Sequence, residues 1–331
     1  MQMSYAQNLE DYVLDQVFFD IAQGTYVDVG GGHPVADNVS FFAYLKGWRG
    51  LIVEPQETLA AAYAGIRPRD TVVAHLAGRT DGEIAFHVVD GMHGLSSAVQ
   101  ANADSAAKYG ASYRTVKHRV RPLSHLIDEA KLGAIDFLKI DVEGAEADVL
   151  AGIDFKRHRP RVILVEAVNP NTSGDEWKIW EPIILGAGYQ FVFFDNLNRF
   201  YVAEEAAALK ERFPKEPAAW DKVTHLWDCG RAAERADHPD RVLAETLIAG
   251  LFASLPTLSP EMLERFLQTG LGARQPKAET AAAIVQLVGT AEWPRADLTR
   301  AEDLKLLLAS DRLRAGLGRI ACMYDGGHLH E

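Results

Sequence analysis

The chain has 331 residues, of which 48% are hydrophobic and 24% are charged, and its formal net charge is −12. This length and composition exclude general disorder and indicate one large or two modest globular domains. The acidic balance disfavours a dedicated nucleic-acid binder and a protein of anionic membrane surfaces, so we expect a small-molecule or glycan partner.

The cysteines and the N-terminal residues give indications of the cellular compartment of the protein. Two cysteines, Cys229 and Cys322, make neither a disulfide framework nor a zinc site, which fits a reducing cytoplasm. Residues 1–10 have no basic segment followed by an apolar run, so we expect no signal peptide. No stretch approaches the roughly 18 apolar residues that a membrane-spanning helix needs. We therefore predict a cytoplasmic protein without a membrane span.

Short apolar runs alternate with helical patterns over the first part of the chain. The runs predict strands at 25–29, 50–53, 71–77, 84–89, 135–142 and 161–165. Helical patterns lie between them at 10–22, 39–46, 58–64 and 146–151. Repetition of strand, helix and strand predicts parallel strands joined by right-handed crossover helices.

At the end of this region, the alternation of strands and helices gives way to two consecutive strands. Residues 189–194 and 199–202 predict two strands around a tight turn at Asn196-Leu197-Asn198, an antiparallel pair that closes a mostly parallel sheet. Strand signals stop after Glu205. Beyond it, helical spacing and the helix start Ser259-Pro260 predict helices over 243–255, from 260, and around 284–288 and 304–308. We therefore predict one domain over 1–205 and a helical C-terminal domain over 206–331.

Four carboxylates fall at the ends of predicted strands: Asp28, Glu54, Asp141 and Glu166. In open parallel sheets, ligands bind at the edge formed by the carboxyl ends of the strands. A carboxylate inside an apolar strand is costly unless it has a partner. One such residue could be a solvated strand end, but the agreement of four indicates a functional edge.

A glycine loop follows the first of these acids. Gly30, Gly31 and the next glycine let the backbone turn sharply and approach a ligand closely. The dinucleotide fingerprint needs glycine or alanine at the position of Val35, so that match fails. Asp28 suits a ligand with an amino-acid end. Glu54 comes about twenty residues later, where it can bind a ribose diol, but both dinucleotide and S-adenosylmethionine sites have this feature.

The segment 137–146 contains several charged side chains close together in the sequence. Strand alternation places Lys139, Asp141 and Glu143 on one side. A cation and carboxylates at a strand end suit the positioning of a substrate hydroxyl and the transfer of its proton. A structural salt bridge with a helix cap is the alternative. A divalent metal on Asp141, Glu166 and a histidine also stays open, without a close-spaced ligand signature.

Several segments together resemble the FkbM-type methyltransferase family. They are residues 4–11 (SYAQNLED), 27–30 (VDVG), 52–55 (IVEP), 138–146 (LKIDVEGAE) and 165–166 (VE). The similarity runs from about residue 4 to residue 205, and 138–146 is its most specific part. Gly31-Gly32-His33 departs from the Ala-Asn that many members have, and residues 206–331 carry no recognised motif of the family.

The resemblance implies a Rossmann-like class I methyltransferase fold, S-adenosylmethionine as cofactor and O-methylation of a hydroxyl. The implied acceptors are sugars of polysaccharides, glycolipids or glycosylated natural products. The residues expected to bind the cofactor are Asp28, Gly30, Gly31, Asn38, Glu54, Pro55, Ala77, Gly78 and Asp141.

Methyl transfer requires alignment of the nucleophile and removal of the hydroxyl proton. We expect Asp141 beside the reactive methyl, with Lys139 next to it. Asp141 or a histidine would take the proton, and the candidate histidines are His93 and His118. The residues expected to bind the acceptor are Glu143, Glu166 and Trp177.

Two rival functions remain open at this point. A nicotinamide-dependent oxidoreductase would use a related sheet, although Val35 and Asp28 count against it. A non-catalytic scaffold would keep the fold and use the helical region as an interface. The helical region could also form a homodimer, and its sequence does not choose between these roles.

Overall fold

A computed structural model describes residues 3–89, 95–108, 110–168, 177–217, 223–226 and 239–274. The chain divides into two compact units, Met1–Asp228 and Cys229–Glu331. This division lies beyond residue 205, because Leu209 and Phe213 pack into a core of the first unit. The domain boundary at 205 stays a prediction. Within the described ranges, no helix is both long and apolar enough to cross a membrane.

The strands and helices have the following bounds. The described strands are β1 Met3–Ser4, β2 Thr25–Val29, β3 Arg49–Val53, β4 Thr71–Val73, β5 Leu76–Gly78, β6 Gly82–Val89, β7 Tyr113–Pro122, β8 Phe137–Ile140, β9 Val162–Glu166, β10 Tyr189–Phe194, β11 Asn198–Ala203 and β12 Thr224–His225. The described helices are α1 Glu10–Val17, α2 Phe41–Leu45, α3 Glu57–Ile66, α4 Gln100–Lys108, α5 Leu123–Ala130, α6 Glu146–Ala151, α7 Trp177–Gly186, α8 Pro239–Ser254 and α9 Pro260–Arg274, with 3-10 helices at Glu204–Arg212 and Leu255–Thr257.

A seven-stranded sheet forms the centre of the first unit. Its order is β10-β11-β9-β8-β2-β3-β4. The pairs from β9 to β4 are parallel, whereas β11 is antiparallel to both β9 and β10. Every residue of β8 is buried, as parallel strands covered on both faces require. The predicted mostly parallel sheet ending in an antiparallel hairpin is confirmed.

The two faces of this sheet carry separate cores. Along β9, Ile163 and Val165 join the core under α5, α6 and α7, whereas Val162 and Leu164 join the core under α1 and α2. Alternate side chains of a strand point to opposite faces. The sheet is therefore the middle layer of three, which is the Rossmann-like arrangement.

A second, smaller sheet has the order β5-β7-β6. Here β6 and β7 are antiparallel, and β5 is parallel to β7. The single strand predicted over 71–77 is wrong, because β4 pairs in the central sheet and β5 in the small one. The strand predicted over 84–89 exists, but it does not belong to the parallel set.

The described part of the second unit is helical, as predicted. Helix α9 begins after Ser259, whose Oγ accepts a hydrogen bond from the Met262 amide at 3.3 Å. The predicted helical cap is therefore confirmed. The helices predicted around 284–288 and 304–308 lie outside the described residues.

Candidate active site

The four predicted carboxylates lie along one edge of the central sheet. Asp28 is in β2, Glu54 follows β3, Asp141 follows β8 and Glu166 ends β9. These strands are neighbours in the order β9-β8-β2-β3 and all run parallel. Their carboxyl ends therefore form a single ligand-binding edge.

A cavity of about 1300 Å³ opens at this edge. The predicted site residues that line it are Gly30, Gly31, Glu54, Pro55, Ala77, Gly78, Lys139, Asp141 and Glu143. The described ones outside its lining are Asp28, Asn38, His118, Glu166 and Trp177. The volume exceeds the roughly 300–1000 Å³ of a typical small-molecule pocket, so a cofactor and an acceptor can share it.

The glycine loop follows β2 and packs tightly against its neighbours. Gly30 has φ +77°, and a Cβ added there would lie 1.7 Å from the Asp141 carbonyl oxygen. The amides of Gly30 and Gly31 donate to the Val53 carbonyl at 2.9 and 3.3 Å. Only glycine permits both this backbone conformation and this close approach to the end of β8.

Lys139 connects the loop with two carboxylates. Its Nζ donates to the Gly30 carbonyl at 2.6 Å and lies 3.4 Å from both Asp28 Oδ1 and Asp141 Oδ2. Burial alone would lower the pKa of Lys139, but Asp141 and Asp28 together raise it above its ordinary value. Lys139 is therefore a fixed cation that holds the site together and not a proton acceptor at neutral pH.

Two predicted cofactor residues lie behind the loop. Asp28 is fully buried, and its Oδ2 accepts a hydrogen bond from Ser40 Oγ at 2.6 Å. Asn38 Nδ2 donates to the Gly31 carbonyl at 2.8 Å, and its Oδ1 accepts from the buried Arg67 at 2.9 Å. The loop therefore has a rigid polar support beneath it, and a direct contact of Asp28 or Asn38 with a ligand stays a prediction.

Glu54 closes the next strand and faces the cavity. Its Oε2 accepts from the Gly32 amide at 2.7 Å, and its Oε1 from the Gln56 amide at 2.8 Å. Burial raises the pKa of Glu54, while these two hydrogen bonds oppose the shift. Each oxygen keeps a second lone pair for a ligand hydroxyl.

His118, predicted as a candidate base, has a different environment from the one expected. Its Nε2 lies 2.8 Å from the Pro55 carbonyl oxygen, which only an N–H can satisfy. The ring also meets Phe86 edge-on, with 5.9 Å between the ring centroids. His118 therefore connects the small sheet to the loop after β3. The other candidate, His93, lies outside the described residues.

Three acidic side chains converge beyond Asp141. Carboxylate oxygens of Asp141, Glu143 and Glu166 lie within 4.8 Å of one another. Burial, then the charge of Asp141, raises the pKa of Glu166 to about 11 and that of Glu143 to about 8. Such a group needs a shared proton or a cation, and carboxylate oxygens are ligands that hard divalent cations prefer.

Trp177 is the first residue of α7, the helix that follows β9 along the chain. The Arg199 guanidinium lies 3.9 Å from the centre of its indole ring. Trp180, one turn further, is 2% exposed and packs into the core. A contact between Trp177 and an acceptor stays a prediction.

Other residues of the lining were not predicted. The small sheet contributes an apolar wall in which Leu76, Phe86 and Val120 pack together. Gln7 also lines the cavity, from the loop before α1. Gln7 belongs to the segment 4–11 that resembles the family, but the sequence does not indicate that this segment reaches the cavity.

Three comparisons with known proteins differ in what they show. No curated protein matches the chain. A solved structure, the TehB-like SAM-dependent methyltransferase from Corynebacterium glutamicum, is 12% identical with a TM-score of 0.32. The alignment covers 59% of this chain and 87% of that one. A similarity this distant indicates neither a fold nor a function for this chain.

The family comparison is informative. Residues 28–191 match the family described as methyltransferase FkbM domain. The matched range contains the glycine loop, Glu54, the apolar wall and the Lys139–Asp141 pair, which together line or support the cavity. S-adenosylmethionine is the cofactor that this family implies. The chain therefore carries, over residues 28–191, a methyltransferase domain of the FkbM family.

Proposed function

We propose that this protein is an S-adenosylmethionine-dependent O-methyltransferase that acts on a hydroxyl of a sugar. The observation that carries the proposal is the position of Asp141, which lines the cavity at the end of β8 with Lys139 beside it. The sugar can belong to a polysaccharide, a glycolipid or a glycosylated natural product.

The residues of the cavity fit the cofactor. Glu54 would bind the ribose hydroxyls, and the support for this role is that Glu54 is buried, directly follows β3 and lines the cavity. Ala77 and Gly78 lie beside the apolar wall, which suits a flat adenine ring. Gly30 and Gly31 let the backbone approach the methionine end.

The reaction makes few demands on the protein. S-adenosylmethionine, when bound, supplies a methyl group that its sulfonium already activates. Asp141 would orient the acceptor hydroxyl and take the proton of that hydroxyl. Lys139 holds the carboxylate in place. Glu143, which lines the cavity next to Asp141, would contact the acceptor, whereas a contact of Glu166, outside the lining, stays a prediction.

Binding experiments test the cofactor and separate the rival function. We expect S-adenosylhomocysteine to raise the melting temperature of the full chain, whereas NAD leaves it unchanged. Stabilisation by NAD alone would instead favour the nicotinamide-dependent oxidoreductase.

A variant tests the role of Asp141. We expect Asp141→Asn to keep its affinity for S-adenosylhomocysteine and to lose about 10²- to 10⁴-fold in kcat, as for a lost general base. Asp20→Asn, on an exposed residue that pairs with Arg212, is the matched control. Full turnover by Asp141→Asn would refute the role, and binding without turnover on any acceptor would favour the scaffold.

The acceptor class requires its own assay. A ¹³C-methyl donor and a panel of oligosaccharides would be incubated with the full chain. The chemical shift of the transferred carbon distinguishes an O-methyl group from an N-, S- or C-methyl group. Transfer to nitrogen or sulfur would contradict the proposal.

The predicted cytoplasmic location fits a donor made inside the cell, and a homodimer through the helical region stays a proposal for solution measurement.

A further inference from the structure

The N-terminal segment 5–8 crosses the edge of the sheet that carries Asp141. At one end, the Tyr5 carbonyl accepts a hydrogen bond from the Asn38 amide at 2.8 Å. At the other end, Asn8 Nδ2 donates to the Asp195 carbonyl at 2.9 Å, in the turn between β10 and β11. In the order β11-β9-β8-β2, the ends of β9 and β8 lie between these anchors. The segment therefore borders the cavity although it precedes the matched family range.

The backbone of this segment is held in place by buried acids. Asp11 accepts from the Tyr5 amide at 2.8 Å, and Glu10 accepts from the Asn8 amide at 2.7 Å. Both acids are at most 3% exposed. Gln7 lies between these fixed neighbours, and it is one of the residues that line the cavity. Its position is therefore determined by the fold and not by a free terminus.

The glycine loop has no amide to offer a ligand. The amides of Gly30 and Gly31 are hydrogen-bonded to Val53, and that of Gly32 to Glu54. Lys139 is equally engaged, because its Nζ donates to the Gly30 carbonyl between two carboxylates. A carboxylate bound at this end of the cavity needs a different hydrogen-bond donor.

Gln7 can supply that donor. It is exposed, and its amide makes no hydrogen bond to the part of the chain that the structure describes. A primary amide donates two hydrogen bonds and accepts two, so it can meet a carboxylate and an ammonium together. We propose that Gln7 binds the amino-acid end of S-adenosylmethionine. This inference rests on the proposed function, because it needs a cofactor with that end.

The test compares two ligands that share adenosine and a thioether. S-adenosylhomocysteine has the amino-acid end, and 5′-methylthioadenosine lacks it. Their affinities for the full chain would be measured by calorimetry, for the wild type, Gln7→Ala and the control Gln23→Ala. Gln23 is also exposed, but it precedes β2 at the opposite end of the strand. We expect Gln7→Ala to weaken S-adenosylhomocysteine about tenfold and to leave 5′-methylthioadenosine unchanged.

Each other outcome contradicts the inference. Equal weakening of both ligands would mean that Gln7 acts on the whole site, and unchanged affinities would mean that it does not touch the cofactor. A raised KM for an acceptor with unchanged S-adenosylhomocysteine binding would assign Gln7 to the acceptor instead. If the wild type binds neither ligand, the proposed function itself fails. Equal melting temperatures of the three proteins exclude a folding defect.

Discussion

Replacement of Lys139 by methionine should destabilise the protein by several kcal/mol. The lysine side chain is 7% exposed and that of Asp28 is 1% exposed, so the variant leaves a buried carboxylate without its cation. Removal of one partner from a buried ion pair costs about 3–5 kcal/mol. Asp141 adds little to this cost, because its side chain is 31% exposed and water screens it. The expected loss is therefore about 4 kcal/mol in the free energy of unfolding, a large part of the roughly 5–15 kcal/mol of a typical domain.

Urea unfolding at pH 7 measures this loss. Lys46→Met is the matched control, because Lys46 Nζ also pairs with a carboxylate, Asp15, at 2.6 Å, but both side chains are at least 20% exposed. That pair should contribute at most about 1 kcal/mol. A loss of under about 1 kcal/mol for Lys139→Met would refute the reasoning. Asp28→Asn should recover part of the loss in the double variant, since it removes the orphaned charge.

The pH dependence gives a second check. The pKa of Lys139 is raised in the folded protein. Its contribution to the free energy of unfolding is therefore complete below the ordinary lysine pKa of 10.5 and is lost only as pH rises through the pKa of the folded state. Titration of Lys139 itself should therefore add no pH dependence to the difference between the wild type and Lys139→Met from about pH 6 to pH 9, and any change in that difference over this range has to come from the carboxylates that the variant leaves without their cation.

Two more variants test the site. Gly30→Ala should cost at least about 2 kcal/mol and abolish S-adenosylhomocysteine binding, because its Cβ would lie 1.7 Å from the Asp141 carbonyl at φ +77°; Gly65→Ala in α3, where nothing lies within 4 Å, should be neutral or stabilising in the same urea titration. The pKa of Glu143 is raised from 4.5 to about 8. The proton on Glu143 therefore stabilises the folded state fully below pH 4.5, and this stabilisation is lost as pH rises through about 8. Glu143→Gln should therefore lose less stability than the wild type between pH 5 and pH 8, and equal losses would contradict the raised pKa.

The elements that the sequence predicted well are those with a strong local pattern. Helix α6 and strand β10 have the predicted bounds, and β2 begins and ends where the apolar run does. Strand β7 was missed, because only two of its ten residues, Val116 and Val120, are aliphatic. It is a strand because it pairs along its length with β6, which is an interaction between distant residues.

The site follows the same division. Strand ends are local features, so the edge that carries Asp28 and Asp141 could be located from the sequence. The direction of a side chain is not local, and Asp28 turns to Ser40 behind the loop. Arg67 is fully buried and supports the loop through Asn38 and Ser40, yet an arginine near a helix end gives no such signal.

Helix α6 lies between two segments that line the cavity, residues 141–145 and 75–80. At its start, Glu146 accepts hydrogen bonds from the amides of Val142 and Gly144, directly after Asp141. Just past its end, a Cβ on Gly152 would lie 1.9 Å from the carbonyl oxygen of Gly78, at the proposed adenine side. A six-residue helix is a stiff spacer of about 9 Å. The distance between Asp141 and the proposed adenine wall therefore depends on one short helix, and a side chain at Gly152 would displace that wall without changing any residue proposed for the chemistry.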